Sequence, residues 1–125
     1  MTVDADLRIV PVREFLRTDV DGHIDLESSR EVLRAIVRAS GTLGLYRVLV
    51  DARGAPHSIS IADVYDLASD LEALGLTPRH RIATLHETPE GLQRAGYFSV
   101  LARSRGHAIR AFSDFESAVA WLSEL

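Results

Sequence analysis

Apolar positions along this chain follow two alternating periods: two residues over short runs, three to four over longer ones. Leu7-Arg8-Ile9-Val10-Pro11-Val12 reads as a first strand. Pro11 has no N–H to give to a ladder, which places the strand at a sheet edge or ends it there. Met1 to Asp6 is polar and is expected to fray. Glu14 to Val20 alternates as a second strand and stops at Asp21-Gly22. Another arrangement is open here, with residues 14–19 pairing with His23 to Leu26 across the Asp21-Gly22 turn.

Helical spacing then takes over. Ser28-Ser29-Arg30-Glu31 has the form of a capping box, Val32, Leu33, Ile36 and Val37 follow as an apolar stripe, and Gly41 offers a stop. Tyr46 to Asp51 is a strand whose unbroken Val48-Leu49-Val50 centre suits burial on both faces of a parallel sheet. Ser60-Ile61-Ala62-Asp63 is a second box, with Ile59 and Val64 spaced as a hydrophobic staple. Its helix is predicted to turn Ile61, Val64, Leu67, Ala68 and Leu71 inward and to end before Gly75. Arg81 to His86 is the next strand. Thr88-Pro89-Glu90 opens a third helix that closes at Arg103, Arg105 and Gly106. His107 to Phe112 is a short strand, and Ser113-Asp114-Phe115-Glu116 opens a last helix with Phe115, Ala118, Val119 and Leu122 inward. The order is β-β-α-β-α-β-α-β-α. It predicts an α/β fold in which four helices cover a mostly parallel five-stranded sheet through right-handed crossovers. With no repeat, linker or low-complexity stretch, residues 1–125 read as one domain.

Composition narrows the chemistry. The 125 residues are 46% hydrophobic and 26% charged, which is ordinary globular usage. The absence of cysteine excludes disulfides, thiolate catalysis and zinc–thiolate sites. All 14 cationic residues are arginine, so Schiff-base lysines and a phosphate-loop lysine are excluded as well. A formal charge of −4 argues against nucleic-acid binding. No apolar run approaches the ~20 residues of a membrane span, and no signal peptide is recognisable. The expectation is a soluble cytoplasmic domain. His23, His57, His80, His86 and His107 show no helical metal-site spacing, so no metal or cofactor is expected. No nucleophile elbow surrounds any serine, and no catalytic residue is assigned.

Four stretches resemble a STAS domain, and most of all the SpoIIAA-like family within that superfamily. They are Gly22-His23-Ile24-Asp25, Val48-Leu49-Val50-Asp51-Ala52-Arg53-Gly54, Arg81-Ile82-Ala83, and Arg110-Ala111-Phe112-Ser113-Asp114 followed by Ala118 and Trp121-Leu122. The resemblance covers the chain from about residue 7. It implies a bacterial, non-enzymatic module that binds a protein partner or a small ligand. Anti-sigma-factor antagonists of the superfamily carry an Asp-Ser-Ser-Gly-like segment at the start of the helix after the central strand, and its serine is phosphorylated to switch partner binding. The matching stretch here is His57-Ser58-Ile59-Ser60-Ile61, which lacks the aspartate and the glycine. The resemblance therefore does not carry the phosphorylation switch to this chain.

The candidate sites each admit two readings. Ser58 and Ser60 are phosphoacceptors at a helix N-terminus that favours anions, or Ser60 is a plain helix cap. Asp51, Arg53 and Gly54 lie past the carboxyl end of a central strand. Ligands gather there in open sheets at a switch in strand order, whereas a plain loop would use Asp51 as a hydrogen-bond acceptor and Gly54 as a turn. Arg30, Arg34 and Arg38 line the first helix and Asp63, Asp66 and Asp70 the second, either as solvated faces or as docking stripes. On the third helix, Leu92, Ala95, Phe98 and Ala102 make an inward face. Tyr97, Val100 and Leu101 fall outside it, so with Phe98 they extend the core or line an apolar cleft or interface. The leading functional expectation is a regulatory or interaction module that docks a protein partner or a second copy of itself. The alternative is a carrier or sensor of a small apolar ligand, because the SpoIIAA-like fold resembles CRAL-TRIO lipid-binding domains.

Overall fold

Short-range capping chemistry decides where each helix starts, and it moves two starts away from the sequence expectation. The computed structural model describes residues 5–12, 14–55 and 59–124. It contains β1 (Ala5–Val12), β2 (Phe15–Gly22), α1 (Leu26–Leu43), β3 (Arg47–Asp51), α2 (Ile61–Ser69), β4 (Arg81–Leu85), α3 (Pro89–Ser104), β5 (Ala108–Phe112) and α4 (Phe115–Leu122). Helix α1 is capped by Asp25, not Ser28. The Asp25 carboxylate accepts the Ser28 N–H at 2.8 Å, and the Ser28 hydroxyl accepts the Asp25 N–H at 2.8 Å. Ser28 is the last residue of the box rather than its first. Gly41, expected to stop α1, lies inside it. The stop is Gly44, which takes the left-handed conformation at φ 68° and donates its N–H to the Ser40 carbonyl. Helix α4 is capped by Asp114 through the Ser117 N–H, not by Ser113. The caps at Ser60 and Thr88 stand as read.

Strand order is β1-β2-β3-β4-β5. β1 pairs antiparallel with β2, and β2 to β5 are parallel, so the parallel part of the sheet has four strands. Pro11 sits in the edge strand, where a missing donor costs least. Ala5 and Asp6, expected to fray, pair with Gly22 and Asp21, and this hairpin replaces the alternative pairing across Asp21-Gly22.

β3 is buried on both faces, as its Val48-Leu49-Val50 run predicts. Val48 and Val50 join Leu16, Val20, Ile82 and Ile109 under α1, α2 and α3. Leu49 points the other way and joins Ala83, Leu85, Ala118 and Leu122 under α4. Two residues expected inside are outside. Ile61 is 48% exposed at the first position of α2, and Phe115 is 38% exposed at the first position of α4. A first-turn side chain projects past the end of the sheet, so the helical stripe overstates its burial. The Arg17 guanidinium lies 5.7 Å over the Phe115 ring. The charged stripes of α1 and α2 meet at Arg30, which pairs with Asp70 at 2.9 Å, while Arg34 pairs with Glu31 within α1. Both ion pairs are partly solvated.

Helix α4 runs against the strands, so its last carbonyls reach their amino ends. Arg47 donates to the Leu122 carbonyl at 2.8 Å, and Arg81 donates to the Trp121 carbonyl at 2.8 and 3.1 Å. The Arg81 guanidinium also stacks on the Trp121 ring at 3.9 Å. Two fixed cations thus meet the negative end of the helix dipole and its last carbonyls.

Replacing Leu49 with Ala should cost about 2–5 kcal/mol, read from chemical denaturation, because the cavity lies between two packed layers. A neutral result would contradict the two-sided burial of β3. Trp121 emission should be blue-shifted in the native state, and Arg81→Ala should shift it red as α4 loosens.

Candidate functional site

All four helices begin at the carboxyl edge of the parallel strands, so this edge collects the loops and the free N–H groups. The sheet of the described residues runs in sequential order. The reversal that opens a ligand crevice in other open sheets, assumed in the sequence reading of Asp51, is not formed. Two smaller depressions occupy the edge instead, on opposite faces of the sheet.

The first is a charged groove on the α4 face. It is lined by Arg17, Asp19, Asp21, Asp51, Arg53 and Gly54, and so brings three of the candidate residues together. Its centre is the Asp51 carboxylate, whose side chain is 11% exposed. Oδ1 accepts from the Arg53 amide at 3.1 Å and from Arg53 Nε at 3.0 Å. Oδ2 accepts from Arg53 Nη2 and from Arg17 Nη2, each at 2.8 Å. Arg17 Nε also binds Asp19 at 3.0 Å. The Arg53 side chain is the main cause that holds the Asp51 carboxyl below its ordinary range, with its backbone N–H and the Arg17 charge adding to it. An acceptor with four donors has no lone pair left for a proton or a metal. Asp51 therefore organises the loop. Gly54 is not at positive φ. Its role is space, because a Cβ there would lie 2.8 Å from Asp21 Oδ1. Arg17, Asp19 and Asp21 were missed in the sequence. Their spacing of two, which sets them on one face of β2, was the available signal.

The second depression is an apolar cleft of about 130 Å³ on the three-helix face. Ala52, Ala55, Ile59 and Val64 come from the β3–α2 corner, Thr84 and His86 from the end of β4, and Gly91, Arg94, Ala95 and Phe98 from α3. Arg94 reaches across it to donate to the Ile59 carbonyl. The His86 ring meets Thr84 Oγ1 at 2.8 Å. Of the four α3 residues nominated for a cleft, only Phe98 lines it. It also walls a second apolar void of about 110 Å³ beneath α1 and α2. Tyr97 packs edge-on against Tyr65 of α2, ring centres 5.6 Å apart, Val100 is 53% exposed, and Leu101 is half-buried. The excess apolar arc of α3 thus faces α2 and solvent, not a pocket.

Ser60 lines neither depression and caps α2. Its hydroxyl accepts the Asp63 N–H at 3.0 Å, and Asp63 accepts the Ser60 N–H at 3.2 Å, a reciprocal capping box. Ser58 lies outside the described residues, as does His57. Among the described residues no group of three metal-ligating side chains converges. No helix of the described residues is long and apolar enough to cross a membrane.

The architecture has solved counterparts. An anti-sigma factor antagonist from Mycobacterium paratuberculosis superposes with a TM-score of 0.66 at 12% identity, over 96% of this chain and 95% of that one. An uncharacterized protein with a SpoIIAA-like fold from Shewanella loihica superposes with a TM-score of 0.58 at 16% identity, over 94% and 93%. No protein-family model matches the chain, and no curated protein matches it in sequence. The fold is SpoIIAA-like, as the four sequence stretches implied.

Asp51→Asn should destabilise by about 1–2 kcal/mol, since it removes the charge that Arg53 and Arg17 both bond, while Arg17 keeps Asp19 and Arg53 keeps water. A carboxyl whose folded pKa is depressed contributes stability that is present above its unfolded value and lost as pH falls through the folded one. The wild type should therefore lose this stability below about pH 4, and Asp51→Asn should lose that part of the pH dependence. Denaturation curves of both proteins from pH 7 to pH 3 check it.

Proposed function

We propose that this SpoIIAA-like domain is a non-enzymatic regulatory module that docks a protein partner on the face formed by α2 and α3, and that serine phosphorylation does not switch it. The observation that carries the reading is a strip of large apolar side chains left in water. Ile61 and Tyr65 lie one turn apart on α2, Val100 lies one turn past Tyr97 on α3, and the Tyr65–Tyr97 contact joins the two helices. Ile61, Tyr65 and Val100 are each about half exposed. Aromatic and branched apolar residues on rigid helices are the usual anchors of protein interfaces. A partner of this kind is consistent with the likeness to an anti-sigma factor antagonist. A second copy of the chain is one partner such a face admits.

Two features weigh against the other readings. The apolar cleft, at about 130 Å³, is smaller than the ~300–1,000 Å³ of drug-sized ligand pockets and leaves no room for a lipid chain. At the charged groove, the most buried carboxylate is consumed by two arginines, so no acid or base stands ready for catalysis. Against a switch at Ser60, the Asp63 carboxylate already occupies the N-terminus of α2. A phosphate on Ser60 would face that negative charge and lose the cap.

Ile61→Asp and Tyr65→Ala should leave the fold intact and weaken partner capture by about tenfold or more, the effect of removing an anchor worth ~1.4 kcal/mol. Ser60→Ala should cost about 1 kcal/mol of stability, Ser60→Asp should retain most of it, and both should still capture the partner. Affinity purification from the native cells with phosphate mapping reads both points. Stoichiometric phosphoserine at 58 or 60, with the partner lost in Ser60→Asp, would overturn the unswitched reading.

A further inference from the structure

At the amino edge of the sheet, opposite the docking corner, lies a row of polar rings that the proposed function does not use. Arg47, Arg81 and Ala108 are register partners across β3, β4 and β5. The residues just before them are Tyr46, His80 and His107, so these three side by side enter the sheet. His80 and His107 are each 3% exposed. The Tyr46 ring meets His80 edge-on at 5.1 Å.

The hydrogen bonds fix the tautomers. His80 Nδ1 accepts the Thr77 N–H at 3.1 Å, so its proton is on Nε2. His107 Nε2 lies 2.9 Å from Glu72 Oε2, and a carboxylate only accepts, so that nitrogen carries the proton. What remains is one donor and one acceptor, His80 Nε2–H and His107 Nδ1. These are the two ring nitrogens that are buried without a partner among the described residues. Leaving both unmet in a dry site is costly, because each nitrogen gives up its bond to water and gains none. One buried water between them, accepting from His80 Nε2–H and donating to His107 Nδ1, satisfies both.

We propose that His80 and His107 form a proton-gated latch, in which the Nε2–H of His80 donates to a single buried water that donates in turn to Nδ1 of His107, and a further proton on His80 opens it. A proton added to His80 goes on Nδ1 and displaces the Thr77 N–H, leaving Thr77 Oγ1, 3.2 Å away, as its remaining acceptor. The latch ties the turn before β4 to the start of β5 and, through Glu72, to the segment after α2. The surrounding charges oppose a second proton. Arg79 stacks on Tyr46 at 4.0 Å from the turn side, and Arg105, at the end of α3, takes part of Glu72 at 3.1 Å. Glu72 bonds the row directly, Glu14 and Glu124 line the depression that Tyr46 and His80 share with Arg47 and Arg81, and the bonds of Glu72 to His107 and then Arg105 hold its carboxyl below the ordinary range. Burial is the main cause that holds the His80 ring below its ordinary value, and the positive charge of Arg79 adds to it.

The sign follows from that depression. The unfolded chain takes up a proton near pH 6.5 and the folded His80 does not, so the stability is complete above that pH and declines as the solution is acidified below it.

The test is side-chain nitrogen NMR and amide hydrogen exchange on the intact chain from pH 8 to pH 5. The expected result is a slowly exchanging His80 Nε2–H, His80 as the Nε2–H tautomer without titration above pH 6, and an unprotonated His107 Nδ1. With intrinsic rates corrected, protection at Thr77, Arg81 and His107 should fall by about tenfold for each pH unit below the unfolded value. His80→Gln keeps a donor at the Nε2 position and cannot titrate, so its protection should not vary with pH. His107→Asn keeps an acceptor near Nδ1 and should preserve the slow His80 proton. A His80 ring that titrates like a free imidazole, a Nδ1–H tautomer, or protection that does not vary with pH in the wild type would overturn the proposal. The ring measurements on the wild type decide it even where a variant fails to fold.

Discussion

Val48, Leu49 and Val50 are consecutive, so in an extended strand they point to alternate faces, and all three are apolar. Water must then be excluded from both faces of β3 at once. That demand places α1, α2 and α3 over one face and α4 over the other. It also makes the neighbours of β3 parallel, because each strand is followed by a helix that returns along the sheet. The carboxyl edge with its four helix starts, and the amino edge with its buried rings and arginines, both follow from this one strand.

The two edges differ in how they settle polar groups. At the carboxyl edge the helix N-termini need acceptors, and Asp25, Ser60, Thr88 and Asp114 supply them from their own sequence neighbourhoods. Asp51 is the exception, since it serves the loop that follows it and a strand beside it. At the amino edge the acceptors are the last carbonyls of α4, and distant arginines meet them. The His80 ring at that end is buried with the Arg79 cation near it, and burial first, then that charge, favours its neutral form. A chain whose only basic residues are arginines suits this arrangement, because a guanidinium can bond a carbonyl and stack on a ring together, as Arg81 does on Trp121.

The proposed docking face has the same origin. α3 carries a wider apolar arc than one sheet face can cover, and part of the excess is taken up by contact with α2 through Tyr65 and Tyr97. What the two helices leave over, Ile61, Tyr65 and Val100, is exposed because no further layer lies above them. In the sequence this excess is visible, but a core position and an interface position have the same residue type and the same period.

Local information fixed the element order, the fold class, the Ser60 and Thr88 caps and the two-sided burial of β3. Each depends on residues within a few positions of one another, where side-chain reach and backbone period leave few choices. The shifted caps at Asp25 and Asp114 show the limit of that reading, since Asp25-x-x-Ser28 and Ser28-x-x-Glu31 are both plausible boxes, and packing selects the one that aligns the helix stripe with the sheet. Other features depended on strand register, which no local pattern specifies. Register put Arg17 of β2 beside Asp51 of β3, so that a candidate ligand residue became a loop organiser. It left Phe98 alone of its group in the cleft and sent Ile61 and Phe115 outward past the sheet's end. It also aligned His80 with His107, 27 residues apart in the chain, so that two unremarkable histidines became one buried pair.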